Sequence, residues 1–145
     1  MKETLIFLMM AIAIMMGGGL NAQTPDGEML LAANNVMDTP VLEGSVGKYG
    51  IKMQLHLNES THKVTGWYYY KSQGAKSKIQ LSGKWSGSDV MNCTVSLTES
   101  VNGKTTGYFN GDLWIAFSGN CGYDGTWTST KGKKMNFEVS FFRGM

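Results

Sequence analysis

Residues 64–97 read VTGWYYYKSQGAKSKIQLSGKWSGSDVMNCTVSL, three alternating runs separated by turn signals. Ile79, Leu81, Gly83 and Trp85 share one parity, with Lys78, Gln80, Ser82 and Lys84 on the other. Met91, Cys93, Val95 and Leu97 repeat the pattern against Asn92, Thr94, Ser96 and Thr98. A period of two, apolar against polar, marks strands that bury one face and wet the other.

Upstream, residues 41–46 carry their apolar or small residues on even positions (Leu42, Gly44, Val46), whereas Ile51, Met53, Leu55 and Leu57 are odd. The change of parity predicts a bulge at Gly47 or Gly50. Opposed residues of an antiparallel pair share a face, so each turn fixes the parity of the next strand. A turn at Glu59-Ser60 opposes Leu55 to Val64, and one at Gly74-Ala75 opposes Tyr70 to Ile79. A connection near residues 86–90 opposes Leu81 to Val95. The first two place Val64, Gly66, Tyr68 and Tyr70 inside and Trp67, Tyr69 and Lys71 outside, and the third keeps the parity.

Asn102-Gly103 and Asn110-Gly111 are strong hairpin signals. As two-residue turns they put Tyr108, Leu113, Ile115 and Phe117 inside and Phe109 and Trp114 outside. A longer turn would exchange Tyr108 and Phe109. The last strands are expected at residues 125–129 and 135–142, with Lys131-Gly132 at the corner. Nineteen glycines against two prolines suit many tight turns and twisted strands. The expectation is an all-β fold, an antiparallel up-and-down barrel of about eight strands. A sandwich would need longer crossovers.

The N-terminal residues read as an address. Lys2 precedes an apolar run at residues 5–16, and Leu20-Asn21-Ala22 offers a cleavage site after three glycines. We expect a signal peptide over residues 1–22, an N-terminal extension over 23–40, and one barrel domain over 41–145. Export to the periplasm or beyond follows, with no membrane span once the leader is removed. Removing residues 1–22 from a chain of 145 leaves 123, one domain's worth. A net charge of +2, spread over the chain, gives no reason to expect a nucleic-acid partner.

Gly66-Trp67-Tyr68-Tyr69-Tyr70, Ile79-Gln80-Leu81-Ser82-Gly83, Leu97-Thr98-Glu99, residues 106–111 (TGYFNG) and Gly125-Thr126-Trp127 together resemble small exported proteins of Gram-negative bacteria. Those proteins have avidin-like or lipocalin-like barrels, and the resemblance covers residues 44–142. It implies a fold and not an activity, because its motifs are structural glycines and aromatics. No biotin-binding set of polar residues can be matched onto this chain.

Residues able to do chemistry are sparse. His56 and His62 fall on opposite faces of one hairpin, and no Cys or carboxylate completes a metal set. Asp89, Glu99, Asp112 and Asp124 are placed in or beside turns, where acidic residues cap and solvate. No nucleophile, base or cofactor motif converges, so an enzyme is not expected. Cys93 and Cys121 are open to two readings, a bridge favoured by export or free buried thiols favoured by the barrel register.

The aromatics carry the functional expectation. Tyr68, Tyr70, Trp85, Tyr108 and Trp127 would face the interior, either filling it or lining a cavity for a small apolar or aromatic ligand. Trp67, Tyr69, Phe109 and Trp114 would form an outer patch suited to a protein partner or a homodimer. The leading expectation is a non-enzymatic binding module with its ligand in the barrel mouth. The alternative is a protein-interaction module, such as an inhibitor of an exported hydrolase or a subunit of a surface assembly.

Overall fold

The computed structural model describes residues 35–144. The expected signal peptide and most of the expected extension lie outside the described residues. The strands are β1 (Val36–Asp38), β2 (Leu42–Val46), β3 (Tyr49–Asn58), β4 (Lys63–Tyr70), β5 (Ile79–Asp89), β6 (Asn92–Val101), β7 (Lys104–Ile115), β8 (Cys121–Ser129) and β9 (Lys134–Phe141). Strands β2 to β9 pair antiparallel with their chain neighbours, and β2 pairs with β9, closing an eight-stranded barrel. The expected up-and-down barrel is what forms.

The extra strand β1 belongs to the region expected to be an extension. It pairs with the far half of β3 (Met37 opposite Leu57), while β2 pairs with the near half (Leu42 opposite Met53). Between them Pro40 has no N–H to give a ladder, and Thr39 does the bonding. Its N–H donates to the Leu55 carbonyl at 2.9 Å, and its Oγ1 accepts from the Leu55 N–H at 3.0 Å.

The change of parity between residues 46 and 51 is a hairpin and not a bulge. Val46 opposes Tyr49 across Gly47-Lys48, and Gly47 has a φ of 57°. A two-residue turn pairs even positions with odd ones, so both apolar sets reach the same interior.

The alternation holds through β3 to β6. Ile51, Met53, Leu55, Leu57, Val64, Tyr68, Leu81, Trp85, Cys93, Val95 and Leu97 are all buried. The registers differ from the expected ones by even steps: Leu57 opposes Val64, Tyr68 opposes Ile79, and Trp85 opposes Val95. Longer loops cause the first two, over residues 59–62 and over 71–78 with its 3-10 turn at Ala75–Ser77, and a later, tighter turn at 90–91 causes the third. An even slip leaves every side chain on its face.

β7 is where the expectation fails. The Asn102-Gly103 turn is real, with Val101 opposite Lys104, but Ser100 opposes Thr105 while Glu99 opposes Gly107. One extra residue, Thr106, bulges out of β7 and reverses the parity beyond it. Phe109 is therefore fully buried, and Tyr108 points outward at 40 % exposure. Asn110-Gly111 is no turn: β7 runs straight through it. Gly111 opposes Gly125, and a Cβ at Gly111 would land on the Asp124 carbonyl oxygen. The glycine is there to let two backbones approach where the strands bend inward. Leu113 is buried as expected, but Phe117 stands 99 % exposed in the loop after β7.

The barrel axis is filled. Phe109 packs edge-on against Tyr68 (ring centroids 5.1 Å apart) and Phe137 (5.0 Å), and Phe137 meets Tyr123 at 4.7 Å. An eight-stranded barrel is about wide enough for one such column. One end carries the turns at 47–48, 71–78, 102–103 and 130–133. The other carries those at 59–62, 90–91 and 116–120.

Candidate functional site

At the 71–78 end the column of rings stops short of the rim. Tyr49, Tyr70, Ser72, Gln73 and Met135 surround a mouth of about 280 Å³. The alternation of β4 brings Tyr68 and Tyr70 to the same inner face, Tyr68 deep and Tyr70 on the mouth wall. Tyr49, at the start of β3, stands edge-on to Tyr70 with centroids 6.2 Å apart.

Below the mouth lies a carboxylate. Glu99 is 4 % exposed, and Thr39 is the other polar side chain in the buried set among the described residues. Its Oε1 accepts hydrogen bonds from the Tyr68 hydroxyl and from Trp127 Nε1 (3.0 Å), and its Oε2 accepts from Thr106 Oγ1 at 2.6 Å. At the bulge Glu99 is faced by two residues of β7, Thr106, which bonds it, and Gly107, its ladder partner. Gly107, opposite Glu99, has no side chain because a Cβ would sit 3.0 Å from Trp127 Nε1 and 3.1 Å from Glu99 Oε2.

A buried carboxylate survives when its lone pairs are satisfied, each charge-assisted bond contributing about 1.5–3 kcal/mol. Here three neutral donors do that, and among the described residues no cation forms an ion pair with it. The Tyr68 hydroxyl also lies 3.5 Å from that of Tyr70. A line of polar groups thus runs from the mouth through Tyr70 and Tyr68 to Glu99. Burial first, then the hydrogen bond to Glu99, push the Tyr68 phenol well above its ordinary range. Burial also raises the Tyr70 phenol, with the field of Glu99 adding to it against the opposing effect of the Tyr68 hydroxyl.

Of the expected ligand-facing residues, Tyr68, Tyr70 and Trp127 therefore converge. Trp85 is buried but at the opposite end, stacked on His62 (3.6 Å, 12°) with its Nε1 donating to the Asn58 carbonyl at 2.9 Å. Tyr108 faces outward and takes no part, for the reason given by the bulge. Glu99 was expected beside a turn with a capping role; it is instead the charged centre of the interior. The signal was present, because Glu99 continues the inward parity of Cys93, Val95 and Leu97.

The expected outer patch divides. Phe109 is in the core. Trp67 and Tyr69 stack at 5.8 Å on β4, with Lys78 Nζ 4.1 Å from the Trp67 ring. Trp114 lies three strands away on β7, over Gly122 and 6.0 Å from Phe142. The four do not form one surface.

A larger groove, about 690 Å³, lies on the outer face of β2, β8 and β9, where Ser45, Asp124, Thr126, Asn136 and Glu138 project. Met135 and Phe137 also border it, but it is an open concavity of the strand exterior with no buried polar group beneath it. The mouth is smaller but brings rings, hydroxyls and a buried charge together, and that combination is what orients a ligand.

Cys93 and Cys121 are both buried and unbridged. They lie toward the same end, not at opposite rims, but on β6 and β8 with β7 between them. Two strand spacings are about 9.6 Å, beyond the roughly 7 Å a bridge spans. His56 donates from Nδ1 to Asp38 Oδ1 at 2.7 Å, tying β1 to β3, and is remote from His62. Among the described residues no group of three or more His, Cys, Asp or Glu is placed to hold a metal, and no helix is long and apolar enough to cross a membrane. Comparison with known proteins finds no matching family model, no matching curated protein and no matching solved structure.

Proposed function

We propose that this chain is an exported, non-enzymatic binding module that takes a small ligand with an aromatic or apolar ring in the barrel mouth. The observation that carries the reading is the mouth itself. Its rings, Tyr49 and Tyr70, stand over a buried polar cluster instead of packing against a capping loop. Core filling accounts for Tyr68, Phe109 and Phe137, but not for a carboxylate placed beneath the opening.

Size narrows the ligand. Sites for drug-sized molecules span roughly 300–1,000 Å³; a mouth of about 280 Å³ suits a single ring with a short substituent. The Met135 thioether gives the wall a polarizable, adaptable side. The export part of the reading rests on the leader-like residues 1–22, and N-terminal sequencing of protein from the culture should begin near Gln23.

The binding part is tested by NMR titration of protein labelled at the methionine methyls and tyrosine rings, using indole and p-cresol as probes. We expect a saturable shift at Met135, which borders both the mouth and the outer groove, together with shifts of the Tyr49 and Tyr70 rings, which line the mouth and not the groove, and with Met53 on the barrel interior moving little. Absence of saturation at Met135 up to millimolar probe, for both compounds, would refute it.

A further inference from the structure

We infer that the ligand is a small ring-bearing amine, held as its ammonium with the charge directed along the line Tyr70–Tyr68–Glu99. This rests on the mouth being the binding site and adds the chemical class of what it takes.

The first observation is an imbalance of charge. Glu99 is enclosed by one phenol, one hydroxyl and one indole N–H, all neutral, and among the described residues nothing positive pairs with it. Oε1 takes two bonds and Oε2 takes one, so the carboxylate keeps acceptor capacity on Oε2. Neutral donors satisfy lone pairs but leave the charge itself unmatched. In a poorly solvated interior that charge is felt further than it would be in water.

The second is the path by which it is felt. Tyr70 lines the mouth, and its hydroxyl is 3.5 Å from that of Tyr68, which donates to Glu99. With the Tyr68 proton turned to Glu99, the Tyr68 oxygen accepts from Tyr70, and the Tyr70 oxygen then offers a lone pair toward the opening. An acceptor at the end of such a chain prefers a donor, and a cationic donor most.

The third is the wall. Tyr49 and Tyr70 meet edge-to-face and present ring surface on two sides. The Lys48 ammonium lies 5.6 Å from the Tyr49 ring centroid, so this ring already attracts one cation. The nearby Lys71 is matched by Glu43, so the Lys48 ammonium on Tyr49 is the opposing charge that Glu99 has to outweigh.

The test compares three ligands that share a phenylethyl body: phenethylamine, 2-phenylethanol and 3-phenylpropionate. Binding to the mature protein is measured by calorimetry at pH 7, with the Met135 methyl and the Tyr70 ring together confirming the place. We expect phenethylamine to bind at least tenfold tighter than either of the others. Glu99→Gln, which keeps the shape and removes the charge, should abolish that preference. If the alcohol binds as tightly as the amine, or Glu99→Gln keeps the preference, the inference is overturned while the mouth remains a binding site. If none of the three binds at the mouth, the proposed function falls, and this inference with it. Should Glu99→Gln not fold, Tyr70→Phe on the mouth wall gives the same comparison: the preference should fall severalfold, and an unchanged preference overturns the inference.

Discussion

Replacing Phe109 and Tyr108 separately by alanine tests the feature on which both the core and the site depend, the bulge at Thr106. Phe109 is fully buried, touches the rings of Tyr68 and Phe137, and sits between Leu97 and Trp127 on the flanking strands. Removing a ring from such a place costs about 3–5 kcal/mol, because the column cannot collapse to refill it. Tyr108 is 40 % exposed on the outer face, and its loss should cost no more than about 1 kcal/mol. With roughly 2.1 cal/mol/K of unfolding entropy per residue over about 110 ordered residues, 1 kcal/mol shifts Tm by about 4 °C. Phe109→Ala should therefore lower Tm by roughly 13–22 °C, and Tyr108→Ala by about 4 °C or less. Thermal melts followed by near-UV circular dichroism would measure both. If Tyr108→Ala is the damaging change, the two-residue turn at Asn102-Gly103 runs on without a bulge. Thr106 would then oppose Glu99 directly, and Gly107, whose missing side chain leaves room for Trp127 Nε1 beside Glu99, would turn outward.

Three further outcomes are expected. Leu81→Asp should unfold the protein or cost several kcal/mol, since it strands a charge on the inner face, whereas Gln80→Asp on the outer face should be nearly silent; equal shifts in urea midpoint would contradict the alternation. Gly111→Ala should be far worse than Gly103→Ala: the first drives a methyl into the Asp124 carbonyl, while the second meets no atom and costs only about 1 kcal/mol for its φ of 78°. Comparable losses in the two variants would refute the close approach of β7 and β8. Stability should also fall in alkali. Burial, with Asp89 and Asp112 adding to it, pushes the Cys93 thiol from 9.0 to about 11, and burial pushes Cys121 to about 12. Groups raised in the fold stabilise fully below their unfolded pKa and lose that contribution as pH climbs through the folded one. The urea midpoint should hold to about pH 9 and decline toward pH 11, at up to about 1.4 kcal/mol per pH unit for each thiol. The double variant Cys93→Ala, Cys121→Ala should delay the decline until the phenols of Tyr68 and Tyr123 come into play, and an unchanged profile would refute the assignment to thiols.

Much of the barrel was legible because parity survives errors of register. The loops after β3 and β4 are longer than the turn signals suggested and the turn after β5 is shorter, yet Tyr68, Leu81, Trp85 and Val95 still face inward, since a slip of two or four residues changes partners and not faces. A bulge is different, because one residue reverses everything after it, and in Thr105-Thr106-Gly107 the only mark is a glycine, a residue that strands of this chain also carry without a bulge. Asn110-Gly111 misled for a related reason. The pair signals a turn when its residues need positive φ, but Gly111 is not among the positive-φ glycines and serves to admit a neighbouring backbone. The mouth could be read in part: Tyr68, Tyr70 and Trp127 follow from alternation. Glu99 was hidden by its chemistry, since a carboxylate two residues from a strand end is ordinarily a solvated one, and what buries it comes from β4, β7 and β8 together.

The seam between β2 and β9 bears on how the chain reaches this state. Seven neighbouring strand pairs are linked through local turns, but β2 and β9 meet through only four opposed pairs, from Glu43–Ser140 to Val46–Phe137. Bringing together positions about 90 residues apart costs roughly 4 kcal/mol in chain entropy, against about 1 for a four-residue loop. The hairpins can each assemble early and cheaply, whereas the ring shuts only when most of the chain is already in place. Ring closure is therefore expected to be the slow event, and Gly44 stands at its centre: a Cβ there would land on the Glu138 carbonyl oxygen. Substitution at Gly44 should therefore hinder the final step of folding and leave a sheet curled but unclosed, with the edges of β2 and β9 free to pair with another chain.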